Sequence, residues 1–257
     1  MWHAGGVFKI QDVLTTSAAS ANEAVQFIGA GRSVHTMGDM RPADIWMLAV
    51  PDAQIAKVAA QLANNVNVKD GIVFHCSGAL ASNVMAPLQE QSCNLASAHC
   101  ILSFSAPASV ITQFAGTPCA LEGDAAAKQV LQSAFEAIGA NCFDLAAKDK
   151  VLYHAAAVFA TNFLPVLQVV AADLWRSAGM PEELIAPLNA SLLQKAVQNI
   201  AAQGAAKALT GPAARGDSEL VAMQGKAVAE WNADAGAAYA ALSQLAARIA
   251  QNGTIDK

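Results

Sequence analysis

Short apolar runs alternate with amphipathic stretches along the first part of the chain, and most runs end in Gly, Pro, Ser or Asp. Both features are typical of strands separated by helices. The predicted strands are residues 7–15, 44–51, 71–78, 94–100, 117–123 and 141–145. The predicted helices are 20–28, 53–64, 81–90 and 124–138, the last capped by Asp124 and closed by Gly139. This alternation predicts an α/β domain with a mainly parallel sheet covered on both faces.

The pattern changes near Lys148, where the strand signal stops and long Ala- and Leu-rich helices begin. A turn-rich segment, LTGPAARGD at 209–217, interrupts these helices. The sequence therefore predicts two domains: an α/β domain over 1–146 and an all-helical domain over 147–257.

One stretch, 155–172, is apolar enough to raise the question of a membrane span. Thr161, Asn162, Pro165 and Gln168 interrupt it, and alanine is only weakly lipophilic. We interpret it as a helix buried in a core or a subunit interface.

Composition excludes several classes of partner. Hydrophobic residues make up 54% of the 257, the net charge is -5, and no Lys/Arg cluster exists, so neither nucleic acid nor an anionic membrane surface is expected. The five cysteines form no CxxC pair and the N-terminus does not resemble a signal peptide. We therefore expect a cytoplasmic protein with reduced thiols.

The segment FIGAGR, 27–32, resembles a phosphate-binding glycine loop only superficially. Such a loop follows a strand and opens a helix, whereas Gly29-Ala30-Gly31 follows a predicted helix, and Val34 stands where a third glycine is needed. We interpret it as a helix C-cap leading into a short strand. No GxGxxG occurs elsewhere in the chain.

Six segments in order carry a family resemblance: DIWMLAVPD, IVFHCSGAL, SAHCILSF, LEGD, KVLYHAAAVFATN and ALTGPAARGD. The chain resembles the Rossmann-like proteins that carry a C-terminal domain of unknown function, DUF2520. More loosely, it is similar to ketopantoate reductases, pyrroline-carboxylate reductases and the 6-phosphogluconate dehydrogenase superfamily. The resemblance implies an NADP-binding domain followed by a helical domain that forms a homodimer.

Against the family pattern, the first strand and its glycine loop would lie upstream of Met1, and 7–17 would contain the second strand. That first strand is central in the sheet. We therefore expect two strand edges to be left unpaired or forced together. A start site assigned too late, or a trimmed chain, explains this better than a shortened protein.

Residues for a cofactor are predicted at three strand ends. Thr15, Thr16 and Ser17 follow the presumptive second strand; hydroxyls there favour the 2′-phosphate of NADP over NAD, and a helix-capping turn is the alternative. Val50, Pro51 and Asp52, and then Ser77 and Gly78, end the next two strands. The resemblance implies that these five residues bind cofactor; capping of the following helix by Asp52 is the alternative.

Two His-Cys pairs, His75-Cys76 and His99-Cys100, suggest nucleophilic or metal chemistry. Adjacent strand residues point to opposite faces, and no metal-ligand spacing is present, so we expect buried thiols and no metal site. By the resemblance, His99 occupies a His-Pro motif position, and His99 and Ser103 line the substrate cleft. A structural histidine is the alternative.

The segment KVLYHAAAVFATN places Lys150 and His154 on one helix face, with Thr161 two turns beyond on nearly the same line. The resemblance implies that Lys150 polarises the substrate oxygen or shuttles its proton, with His154 as rival or helper, and that Asn162 orients the substrate. Interdomain polar packing, with Lys150 solvated at the helix start, is the alternative.

In the 209–217 loop, Arg215 is predicted to bind a substrate carboxylate and Asp217 to cap the next helix. An Arg215–Asp217 bridge that holds the loop is the alternative.

These observations predict an NAD(P)-dependent reductase or dehydrogenase, with NADP preferred, that acts on a small carbonyl- or carboxylate-bearing metabolite. The alternative is a non-catalytic ligand-binding or regulatory dimer derived from the same fold. A cysteine hydrolase is a third hypothesis, and it requires a cysteine facing a histidine.

Overall fold

A computed structural model describes residues 1–102, 104 and 106–255. The chain folds as two compact units, Met1–Phe159 and Ala160–Lys257. The first unit thus extends past the predicted 146/147 boundary, because the helix that begins at Lys150 bonds through its side chains to the strands.

The first unit contains seven strands within its described residues, and all six predicted runs are among them. The first is shorter than predicted. The strands are β1 (Asp12–Leu14), β2 (Arg32–Val34), β3 (Ile45–Leu48), β4 (Ile72–His75), β5 (Asn94–Cys100), β6 (Pro118–Gly123) and β7 (Asn141–Asp144).

The strands form two sheets. β1 and β2 make a separate parallel pair, while the other strands form a five-stranded sheet in the order β3-β4-β5-β6-β7. Every pairing is parallel except β5–β6, which is antiparallel. The mainly parallel sheet is therefore confirmed, and the expected break is present, since β1 and β3 are not paired with each other.

Apolar clusters cover the two faces of the larger sheet. On one face Trp46, Val73 and Leu95 pack with Ile55 and Leu62. On the other, residues such as Phe74, Ala98 and Leu121 pack with Leu131 and Phe135. The alternation of side chains along each strand explains this division, since neighbours in sequence fall into different clusters.

Helices of the first unit follow most of the predicted stretches. They are α1 (Ala18–Ile28), α2 (Asp52–Asn65), α3 (Pro107–Gln113), α4 (Ala125–Glu136) and α5 (Lys150–Ala157). Short 3-10 segments lie at Met37–Asp39 and Ala147–Asp149. The predicted helix at 81–90 is instead a 3-10 segment, Ser82–Gln91, in which Met85 leaves helical geometry and Pro87 is internal.

Two capping predictions can be compared with the structure. Gly29 ends α1 in the left-handed conformation at φ 78°, and β2 follows, which confirms the C-cap interpretation of FIGAGR. Asp124 occupies the N-cap position of α4 but its side chain does not cap the helix. Its carboxylate accepts a hydrogen bond from the Leu95 amide (2.7 Å) and so ties α4 to β5 instead.

The second unit contains helices joined by loops and no strand among its described residues. A π-helical turn, Val158–Asn162, leads from α5 to α6 (Phe163–Ser177), followed by α7 (Glu182–Gln203), α8 (Ala205–Ala208), α9 (Ser218–Trp231) and α10 (Ala233–Asn252). The predicted all-helical C-terminal region is confirmed.

One helical segment, Ala147–Ser177, is long and apolar enough to cross a membrane by length and composition, which is weak evidence for membrane association. None of its most apolar window is buried within the chain. The expectation that the 155–172 stretch lies in a core is therefore wrong, and the subunit-interface alternative stays a prediction.

Candidate active site

The carboxyl ends of β3 and β4 bring two predicted residues into contact. Asp52 is the first residue of α2, with Pro51 at the N-cap position. Its carboxylate accepts a hydrogen bond from the Ser77 hydroxyl (2.8 Å). The structure shows no helix cap from Asp52; the side chain links the two strand ends.

The turn after β4 is held by hydrogen bonds from its own residues. Ser77 Oγ also accepts from the amides of Ala79 (3.2 Å) and Leu80 (2.9 Å). The Ser77 amide donates to His75 Nδ1 (3.1 Å), which leaves Nε2 of that ring to donate to the Ala81 carbonyl (3.2 Å). Burial lowers the pKa of His75, in keeping with this neutral form.

Gly78 lies against two histidine rings. A Cβ atom placed on it would be 2.5 Å from His154 Nδ1 and 2.9 Å from both Cε1 and Nε2 of His99. The two rings are edge to face, with centroids 5.6 Å apart. Glycine is therefore required here for close approach of the turn to both rings.

His99 is held in its neutral form. Burial, then the nearby His154 and Lys150, lower its pKa to about 4. Its Nδ1 atom lies 2.9 Å from the hydroxyl of Tyr153, and burial raises the pKa of that hydroxyl to about 12. His99 and Tyr153 are thus joined by a hydrogen bond between two side chains that are both uncharged near neutral pH.

His154 has a buried ring nitrogen without a protein partner. Its Nδ1 atom finds no hydrogen-bond partner in the part of the chain that the structure describes. A buried polar atom left in this way costs free energy, and such atoms are often functional. His154 is one turn beyond Lys150 on α5.

Lys150 is fully buried, with 0% of its surface exposed. Its ammonium group donates to the Ser77 carbonyl (3.1 Å) and to the Ser97 hydroxyl (2.8 Å). Burial lowers its pKa, while the carboxylates of Glu122 and Asp52 act in the opposite direction. The lysine therefore bridges β4 and β5.

Sequence reasoning missed Tyr153, Ser97 and Glu122. Ser97 is two residues before His99 on one strand, so the period of two placed it on the same face. Glu122 is the only charged residue in the apolar strand PCALEG. Both signals were available, but which strand pairs with which was not.

Thr16 and Ser17 lie in the turn between β1 and α1. Ser17 caps α1, accepting from the Ser20 amide (3.2 Å), and Thr15 donates to the Ser17 carbonyl (2.9 Å). A groove of about 510 Å³ opens beside this turn; it is lined by Leu14, Thr15, His35, Thr36, Met37, Gly38, Gln61 and Asn65. The capping role is thus present, next to space for a ligand.

Thr161 and Asn162 belong to the second unit. Ser103 is outside the described residues. Asn162 ends the π-helical turn and accepts a hydrogen bond from the Thr161 hydroxyl (2.7 Å). The predicted alignment of Thr161 with His154 assumed an unbroken α-helix, and the wider π turn offsets it.

Arg215 lies in a loop of the second unit that is held by main-chain bonds. Its amide donates to the carbonyls of Gly211 and Pro212, and the Asp217 amide donates to Pro212 (2.9 Å). No ion pair among the described residues involves Arg215 or Asp217, so the bridge alternative is not observed. Asp217 is at the N-cap position of α9, but its side chain makes no capping bond.

The thiols lie apart from the histidines. Cys76 and Cys100 pack in the apolar cluster on the opposite sheet face from His75 and His99. Burial raises the pKa of Cys76 to about 12, which opposes formation of a thiolate. All five cysteines are free, and the described residues contain no group of three or more His, Cys, Asp or Glu able to hold a metal ion.

Comparison with known families agrees with this architecture. A model described as a Rossmann-like domain matches residues 5–100. A second model, described as a domain of unknown function (DUF2520), matches residues 117–246, half of the chain. The chain belongs to the DUF2520 family.

Solved structures resemble this DUF2520 protein over most of its length. Protein TM1727 from Thermotoga maritima is 25% identical with a TM-score of 0.76, covering 96% of this chain and 92% of that one. A candidate NADP oxidoreductase, BF3122, from Bacteroides fragilis is 18% identical (TM-score 0.71; 94% and 90% covered). A pyrroline-5-carboxylate reductase from Coxiella burnetii is 15% identical (TM-score 0.54; 95% and 91% covered). The last two similarities show that these proteins share the fold of this chain. A search of curated protein sequences finds no match.

Proposed function

We propose that this protein is a nicotinamide-dependent oxidoreductase, with NADP preferred over NAD, that acts on a small carbonyl- or carboxylate-bearing metabolite. The observation that carries the proposal is the meeting of His99 and His154 over Gly78 at the carboxyl edge of a parallel sheet. Ligands of open α/β sheets bind at this edge. The structural relatives named for NADP or pyrroline-5-carboxylate chemistry support the same class.

The groove beside Thr15 is proposed to take the adenosine end of the cofactor. Gly78, which brings the turn after β4 against both histidines, is proposed to border the cofactor. The first turn of α1 has no acidic residue, whereas that of α2 carries Asp52. A phosphate is stabilised by a helix N-terminus free of carboxylates, which favours α1, with Thr16 and Ser17, as the site of a 2′-phosphate.

The cofactor, when bound, supplies the hydride, and the protein supplies position and a proton. We assign the proton to His154, because its buried Nδ1 atom has no hydrogen-bond partner among the described residues. His99, neutral and hydrogen-bonded to Tyr153, is proposed to bond the same group. Val50, Pro51 and Asp52 would border the cofactor at the next strand end.

Two roles remain proposals for the second unit. Asn162 is proposed to orient the substrate and Arg215 to bind its carboxylate, since an unpaired guanidinium can bind a carboxylate through two hydrogen bonds. Among the described residues, Arg215 forms no ion pair that would compete.

We also propose a cytoplasmic homodimer formed through the C-terminal helices. Large apolar side chains are exposed along α6 and α7, among them Val166, Val169, Leu184 and Val197. Exposed apolar surface of this kind is typical of an interaction site. The five free thiols are compatible with a reducing compartment.

A non-catalytic ligand-binding dimer is the second candidate. One observation favours it: the described turns from β1 to α1 and from β3 to α2, residues 15–17 and 49–51, contain no glycine to cradle a pyrophosphate.

Titration of the protein with NADPH and NADH, followed by nicotinamide fluorescence, separates the candidates. We expect saturable binding with NADPH preferred. Ser17→Asp should weaken NADPH binding at least about 10-fold while sparing NADH, because aspartate still caps α1 but repels a 2′-phosphate. Ser191→Asp, an exposed serine on α7, is the control. Saturable binding of neither nucleotide would refute the oxidoreductase and leave the binding dimer.

A further inference from the structure

A chain of buried polar side chains crosses the larger sheet. Lys150 donates to Ser97 Oγ (2.8 Å), and Ser97 donates to Glu122 Oε2 (3.0 Å). Ser82 closes the far end, with its amide on Oε2 (2.8 Å) and its hydroxyl on Oε1 (2.9 Å) of Glu122. All four residues are buried.

The donors and acceptors in this row of bonds match a charged lysine and a charged glutamate. A lysine ammonium only donates, so the Ser97 hydroxyl must accept from it and give its own proton to Glu122. An ionised Glu122 carboxylate has lone pairs on both oxygens for all three donors, which are the Ser97 hydroxyl and the amide and hydroxyl of Ser82. The chain is therefore a cation and an anion joined through one hydroxyl.

Sheet register explains why these residues meet. Ser97 on β5 is the direct partner of Glu122 on antiparallel β6 and of His75 on parallel β4. Direct partners project to the same face. The three polar positions thus form one row across β4, β5 and β6, and α5 delivers Lys150 to its middle.

The other bond of Lys150 connects this row to the turn that contacts the histidines. Its ammonium group donates to the Ser77 carbonyl (3.1 Å), directly before Gly78. Gly78 in turn lies against His99 and His154. A shift of the Ser77 carbonyl therefore changes the spacing on which both rings depend.

We propose that Lys150 is a positioning residue, and that Glu122, acting through Ser97, is the counter-charge that keeps it in place. The pair fixes the Ser77–Gly78 turn beneath the two histidines. The ammonium group of Lys150 is fully buried and already has two protein acceptors, one of them the Ser77 main-chain carbonyl. The nitrogen without a partner among the described residues is His154 Nδ1. The inference rests on the proposed function for the chemical role of the histidines.

A double-mutant cycle followed by thermal unfolding tests the pairing. Glu122→Gln keeps the size of the side chain but leaves the lysine without its anion, and should lower Tm by about 10 °C. Lys150→Met leaves the glutamate without its cation and should lower Tm by a similar amount. The double variant should be more stable than Glu122→Gln alone, because no buried charge is then unpaired.

An exposed pair provides the matched control. On α9, Lys226 Nζ lies 3.8 Å from Glu230 Oε1, and both side chains are largely exposed. Lys226→Met with Glu230→Gln should change Tm by about 1–2 °C or less. Additive losses in the buried cycle would refute the charge pair.

Positioning is measured by NMR titration of the His99 ring. Ser97→Ala, which removes the bridge but neither charge, and Glu122→Gln should each raise the His99 pKa from about 4 towards its ordinary value, since a relaxed turn admits water. An unchanged His99 pKa in both variants would refute the positioning role. Neither measurement uses cofactor or substrate, so failure of NADPH binding would count against the proposed function alone.

Discussion

The two units of this protein differ in the side chains that they bury. The first buries ionisable groups, Lys150, Glu122 and His75, and gives each at least one hydrogen-bond partner. The second exposes apolar ones: Val166 and Val169 on α6 are 55% and 60% exposed. Neither arrangement is what transfer free energies alone favour.

The difference indicates how each unit offsets the free-energy cost of these side chains. In the first, hydrogen bonds across adjacent strands compensate for the desolvation of Lys150, Glu122 and His75 within one chain, whereas His154 Nδ1 has no partner among the described residues. In the second, exposed apolar surface is stabilised only when something covers it. Substitutions should therefore act on folding in the first unit and on association in the second.

The largest effect is expected at Gly78. Gly78→Ala places a methyl group in the space of two histidine rings and should cost about 3 kcal/mol of unfolding free energy. Chemical denaturation measures this. Gly38→Ala is the control, since a Cβ atom at that position would lie 3.9 Å from Thr36 Oγ1 and no strain is expected. Equal losses at the two positions would show that the histidines do not constrain the turn.

Association is tested by the same change in each unit. Val169→Glu should convert the proposed dimer to a monomer in light scattering after size exclusion, because a buried carboxylate without a partner opposes association. Val130→Glu, on α4 of the first unit and 39% exposed, should leave the mass unchanged. A wild-type chain that is already monomeric would contradict the dimer.

Acid should destabilise the protein through His99. The unfolded chain binds the His99 proton near pH 6.5 and the native chain only near pH 4. The native state is therefore favoured fully above pH 6.5 and progressively less as pH falls to 4. His99→Gln should flatten this part of the stability curve, leaving the slope due to His75, whose pKa is also lowered. A slope identical to wild type would place His99 in water.

The smallest effect is expected for Tyr153→Phe. The variant loses one partly buried hydrogen bond to His99, which should cost about 1 kcal/mol. Denaturant unfolding measures the loss. No change would mean that the His99 ring is held by the histidine-glycine contact alone.

Local patterns predicted most elements of this fold. Apolar runs identified β3 to β7, and Gly29 identified the end of α1, because periodicity and left-handed caps are local properties. The Glu122 carboxylate that Lys150 reaches through Ser97 was not predictable, since the contact depends on β6 lying antiparallel beside β5, and strand order is not a local property. Asp52 and Asp124 show the same limit: each bonds a residue of another strand rather than its own helix.

The reversal of chain direction at β6 has a further geometric consequence. Because β6 and β7 run opposite to β5, α5 climbs from the middle of the sheet towards its carboxyl edge. The four-residue step from Lys150 to His154 rises about 6 Å along the helix, and the two-residue step from Ser97 to His99 about 6.7 Å along the strand. Because these two spacings are nearly equal, Lys150 lies beside Ser97 and His154 lies beside His99.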